Sequence, residues 1–154
     1  VPYDPSQLPI GERIVLNVVS TLQAVAPPTY ATSVREVRRF DGNAFHTHKL
    51  PAIAVVEGVE EHDNQRLAII EHVLPLNLVL AVHGQDWQVQ LKKLAADIRV
   101  AILADHTRGG LSMDTRVSST EVFDSEPSSP LGVAQIDVRI RYRTAYHNPG
   151  STTP

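Results

Sequence analysis

The sequence predicts an α+β fold: a mostly antiparallel sheet with two helices packed on one face, in the order α-β-β-β-α-β-β. Three observations predict it. Two segments, around 10–25 and 87–103, repeat apolar residues at helical spacing. Two others, around 70–82 and 136–142, alternate apolar and polar residues with the period of a strand. The connections between strands look short and hairpin-like. With 154 residues the chain is long enough to bury one core without disulfides. A single domain over 1–148 is expected, followed by a flexible tail at 149–154.

The first helix is expected over 9–26. Pro9 suits a first-turn position, Ile10, Ile14, Val18, Leu22 and Val25 recur at helical spacing, and Pro27–Pro28 end it. Its many β-branched residues make it depend on packing. Residues 30–40, "YATSVREVRRF", predict a short strand, and "DGNAFHTHK" (41–49) a turn and loop, Asp41–Gly42 being a hairpin signal. "LPAIAVVEGVEEH" (50–62) predicts a second strand and "EHDNQR" (61–66) the turn after it.

Over 66–84 the pattern is clearest, with Ile70, Leu74, Leu76, Leu78, Leu80 and Val82 on one face of a strand. Glu71, Val73, Asn77, Val79 and Ala81 share the other. Pro75 cannot donate to a ladder, which calls for an edge position or a bulge. The second helix spans 85–106: Asp86 is placed to cap it, Trp87, Leu91, Leu94, Ile98 and Ile102 form its stripe, and Gly109–Gly110 lie past its end. A strand at 115–125 and a polar turn, "EPSSPLG", lead to the last strand. There Ile136, Val138, Ile140 and Tyr142 alternate with Asp137, Arg139, Arg141 and Arg143, so the arginines are expected on the face away from the core. Tyr142 and Tyr146 fall on the apolar side.

Chemistry is sparse. With no cysteine there is no disulfide framework, thiolate zinc site or cysteine nucleophile. His46 and His48 are close, but no HExxH and no carboxylate at a recognisable spacing accompanies them, so they read as surface loop histidines. Asp105–His106 lacks a nucleophile elbow, and "RGGL" lacks the lysine and context of a phosphate loop. No catalytic, cofactor-binding or metal-binding residue is therefore expected. The net charge of −3 and the 5% aromatic content argue against a primary nucleic-acid role. Neither a signal peptide at the start nor an apolar run of about 18 residues is seen, so a soluble, non-exported protein is expected. Acidic residues gather at Glu57, Glu60, Glu61, Asp63 and Glu71, as a solvated hairpin tip or as an interface patch.

Taken together, the proline-ended first helix, "LPAIAVVEGVE" with its early proline, "LPLNLVLAVHG" running into "LKKLAADIRVAILAD", and the closing "VRIRYRT" resemble tail terminator and tail completion proteins of long-tailed bacteriophages. The resemblance covers roughly residues 10–148. It implies a non-enzymatic virion protein, assembled in the host cytoplasm, that forms a ring, commonly a hexamer, at the head-proximal end of the tail tube. Such a ring ends tube polymerisation and docks the head connector. The implied partners are further copies of the chain, the tube protein and the connector, with DNA passing through the channel without specific binding. No cofactor is implied. Alternatives are another head–tail connector or neck protein, or a small nucleic-acid-binding or enzymatic domain. Within the ring reading, Arg139, Arg141 and Arg143 are expected to meet a neighbour's Glu57, Glu60, Glu61 or Asp63, or to line the channel. The loop residues Asp41, Asn43, Phe45, His46, His48 and Lys49 form a candidate docking arm.

Overall fold

Two 15-residue strands form the spine of the molecule. The structure, a computed structural model, describes residues 2–66, 68–123 and 131–153, and no side chains for 63–66, 119 and 123. Strand β4 (Ile69–His83) pairs antiparallel with β6 (Leu131–Ala145) in unbroken register from Ile69↔Ala145 to His83↔Leu131. Beyond β6 lies β5 (Asp114–Phe123). On the other side of β4 come β2 (Ala52–Glu57) and then β1 (Glu36–Arg39), giving the order β1-β2-β4-β6-β5. A further strand, β3 (Glu61–Arg66), pairs with the start of β4. The expected α+β class and its two helices are therefore present, with one strand more than the sequence predicts.

Helices α1 (Ile10–Gln23) and α2 (Trp87–Ala104) cover one face of this sheet. Ile10, Ile14, Val18 and Leu22 of α1, spaced four apart, are buried together with Leu91, Leu94, Ile98 and Ile102 of α2. They pack on Leu74, Leu76, Leu78 and Leu80 of β4 and on Ile136, Val138, Ile140 and Tyr142 of β6, the apolar sets that alternation predicts. Each fully buried side chain of this size contributes about 1.5–3 kcal/mol.

The helix ends use unexpected partners. Ile10 N donates to Pro149 O at 2.9 Å, so α1 begins against the segment expected to be a flexible tail. That segment is held further by Ala145 N donating to Ser151 O at 2.7 Å, and Asn148 just before it donates through Nδ2 to Pro2 O at 3.0 Å. Asp86 stands at the N-cap of α2 but makes no capping bond; its carboxylate accepts from Gln90 Nε2 at 3.2 Å. At the other end Arg108, wholly buried, donates through Nη2 to the carbonyls of Ile102 and Asp105. Its guanidinium closes the last turn, and Gly109 and Gly110 follow with φ of 66° and 85°.

Three local expectations need correction. The segment 41–49 is not a hairpin turn, because β1 and β2 run parallel (Glu36↔Ala52 to Arg39↔Val55). Asp41 and Gly42 do make a tight turn, with Gly42 at φ 84° and Asp41 Oδ1 accepting from Asn43 N at 2.9 Å. The chain then continues through a 3-10 turn at Thr47–Lys49, which gives it the length to return in parallel. Secondly, "EHDNQR" is β3 and not a turn. Its polar composition is that of an edge strand, where one side of the backbone faces water. Thirdly, Tyr146 lies past the end of β6 and is 49% exposed. Residues 124–130, including the expected strand end and most of the following turn, lie outside the described residues.

Pro75 occupies an interior strand, at a bulge. Its ladder to β6 is intact, while its carbonyl accepts from Gly58 N at 2.9 Å on the opposite side. Carbonyl and nitrogen of a strand residue face the same neighbour, so the missing N–H falls in the gap between β2 and β3. Across that gap, Glu57 to Glu61 stand opposite Leu76 to Val73, one residue more on the outer strand than on β4. Gly58 has no side chain where a Cβ would come within 2.9 Å of Pro75 Cγ.

Candidate functional site

On the sheet face turned away from the helices, no helix or second sheet lies among the described residues, and the loop 41–49 is laid over part of it. This face carries Glu36 and Arg38 of β1, Ala52, Ala54 and Val56 of β2, Val73, Asn77 and Val79 of β4, and the arginines of β6. Two adjoining depressions lie on it. One, of about 520 Å³, is lined by Val56, Pro75, Asn77, Ser118, Asp137 and Arg139; the other, of about 280 Å³, by Arg38, Phe40, Asn43, Phe45 and Val79, with Asn77 shared. Three polar atoms here are buried without a hydrogen-bond partner among the described residues: Glu36 Oε2, Arg38 Nε and Asn77 Oδ1. Asn17 Oδ1 and Arg108 Nε and Nη1, away from this face, are also without a partner among the described residues.

Arg139, Arg141 and Arg143 stand in a row on this face, exposed as expected. Two of them already have a partner within the chain. Glu71, directly across from Arg143 in β4, accepts from Arg143 Nε at 2.9 Å and from Arg141 Nη2 at 3.5 Å. The Arg143 hydrogen bond, with the charges of Arg143 and Arg141, holds the Glu71 carboxyl below its ordinary range. Arg139 makes no ion pair among the described residues and lines the larger depression.

The acidic residues do not form one patch. Glu57 points to the helix side, where Arg39 is held between it and Glu12, the latter at 2.6 Å. Glu60 turns to Tyr142 and His72, Glu61 is exposed, and the side chain of Asp63 lies outside those described. The loop 41–49 lies back on its own sheet. Phe45 packs on Leu50, Ala52 and Ala81, and Arg38 sits 5.0 Å from its ring centroid while donating to Asn43 O at 2.6 Å. His46 and His48 stack with centroids 5.5 Å apart, and Lys49 Nζ is 3.6 Å from Glu36 Oε1.

A second concentration of chemistry lies on the helix side, where the start of α1 meets β3, β4 and β6. The pairings His62↔His72 and His72↔Tyr142 put these side chains in one row across three strands. His72 Nδ1 is 2.8 Å from His62 Nδ1 and 3.0 Å from Glu60 Oε1, and its Nε2 is 2.8 Å from Thr144 Oγ1. The Tyr142 ring stacks on His72 with centroids 4.6 Å apart, and its hydroxyl donates to Glu60 Oε1. Gly11 makes room for that hydroxyl, since a Cβ there would stand 2.7 Å from it. Burial lowers the pKa of His72 and outweighs the opposing pull of Glu60. Burial, then the Glu60 hydrogen bond and charge, push the Tyr142 phenol far up. A cavity of about 270 Å³ adjoins the cluster, bounded by Pro9, Glu12, Glu57 and Pro149.

Sequence inspection missed this cluster because its two histidines are ten positions apart and share no local motif. The signal lay in β3: once 61–66 is a strand, positions 62 and 72 face each other across the hairpin. In comparisons with known proteins, no family model matches the chain and no curated protein matches it.

Proposed function

We propose that this chain is a structural ring subunit of the tail terminator type, which sits at the head-proximal end of a long phage tail, ends tube polymerisation and receives the head connector. The observation that carries the proposal is the half-covered sheet. One face is sealed by two helices, while the other presents adjoining depressions and an exposed Arg139 that makes no ion pair among the described residues. A sheet finished on one side only suits a subunit whose second layer comes from neighbours, and the ring reading makes the neighbour another copy of the chain, in about six copies. Of the three arginines, Arg139 is the one without an ion pair among the described residues, since Arg141 and Arg143 are engaged by Glu71. The role is structural and non-enzymatic, and virion assembly is its setting.

Images of particles assembled without this protein test the reading directly. Overlong tails, or tails without heads, are expected; tails of normal length joined to heads would overturn it. Arg139→Glu should leave the monomer folded and abolish ring assembly in light scattering and negative-stain images. Rings that persist in that variant would remove Arg139 from the contact.

A further inference from the structure

We propose that Glu60, His62 and His72 form a binding site for a divalent transition-metal ion of the zinc class. One ligand atom from each residue lies within 4.8 Å of the other two. Two imidazoles and a carboxylate without any thiolate are a donor set for Zn²⁺ or its neighbours, whereas Ca²⁺ and Mg²⁺ take oxygen ligands.

The hydrogen-bond pattern prepares His72 for this role. When its Nε2–H donates to Thr144 Oγ1, the lone pair of Nδ1 points at His62 Nδ1 and at the Glu60 carboxylate. A cation placed among these three atoms satisfies all of them at once. Buried His72, 8% exposed, is the fixed member: Thr144 orients one edge of the ring and the stacked Tyr142 its face. Glu60 is held by the Tyr142 hydroxyl. Metal-binding histidines and carboxylates ordinarily have such outer partners, which set the tautomer and the ring direction.

The two separations from His72 need only a small adjustment. Tetrahedral zinc with Zn–N distances of about 2.0–2.1 Å separates its ligand atoms by about 3.3 Å. The two separations from His72, 2.8 Å and 3.0 Å, open by a few tenths of an ångström, while Glu60 and His62 lie within 4.8 Å of each other. His62 is exposed at the edge of the sheet and is free to make that movement. For both Nδ1 atoms to face the cation, His62 takes the tautomer with its hydrogen on Nε2: the hydrogen between the two Nδ1 atoms is given up to solvent as the exposed Nε2 gains one, with no net release from a neutral ring. The remaining coordination position faces the adjoining cavity, where water completes the shell.

Titration of the purified protein with Co²⁺, followed by visible absorption, tests the site. A single equivalent should give the d–d bands of a four-coordinate ion without thiolate charge transfer, and Zn²⁺ should displace it. His62→Ala should weaken binding by more than the about 10–100-fold that loss of an outer-shell partner costs. Glu60→Gln should weaken it in the same direction. The His46→Ala/His48→Ala double variant should bind as the parent does, since that pair has no third ligand among the described residues. Absence of cobalt bands in the parent protein, unchanged affinity in His62→Ala, or loss of binding in the double variant would each overturn the proposal. His62 is exposed, so its variant remains folded, and the fluorescence of Trp87 checks that.

Discussion

Strands β4 and β6 put the same backbone to two opposite uses. On their helix side, Leu74, Leu76, Leu78 and Leu80 meet Ile136, Val138 and Ile140 under two helices, and all are buried. One residue along, Val73, Pro75, Asn77 and Val79 face Arg141, Arg139, Asp137 and Gln135, and the loop 41–49 is laid over the neighbouring Ala52 and Ala81. The difference teaches where stability and recognition reside. The covered face is held by apolar contacts the chain supplies itself, and the open face carries the exposed arginines and two depressions.

This contrast breaks most severely at the covered face. Leu78→Ala removes a wholly buried side chain at the centre of the sheet and should cost about 2–5 kcal/mol, read from the shift in a urea unfolding midpoint. Gly132→Ala should cost about 1–3 kcal/mol, because its Cβ would lie 2.3 Å from Trp87 Cε3 and must displace the indole. The single tryptophan reports this movement as a change in emission. On the open face, Arg139→Ala should stay within about 0.5 kcal/mol of the parent in the same unfolding measurement. A large loss there would mean that Arg139 serves the monomer's own stability and would weaken the division between the faces.

How much of this was legible in the sequence follows the same division. Four-residue spacing from Ile10 to Leu22 and alternation from Leu74 to Val82 report burial directly, so both helices, the spine and the exposed arginines could be read. Pairing direction could not. Asp41–Gly42 specifies a tight turn, but not whether the chain comes back antiparallel or continues far enough to run parallel. Strand β3 was hidden because its polar residues fit an edge strand and a turn equally well. The internal pairing of Arg141 and Arg143 with Glu71 depends on a cross-strand register between residues about seventy positions apart, which no local pattern encodes. Capping failed for a related reason: Asp86 suits an N-cap, yet its carboxylate is taken by Gln90, while a distant-looking arginine closes the other end of the helix.

The bulge beside Pro75 acts as an indexing device. Continuing the pairing of β2 and β4 without the extra residue would bring Glu61, not His62, opposite His72, and would turn His62 to the other face of the sheet. A nitrogen that carries no hydrogen, deep in β4, thus sets the count along its neighbour and decides which side chain meets the buried imidazole. Inserting or deleting one residue at 58–60 would leave the composition of that strand almost unchanged and rewrite what faces His72.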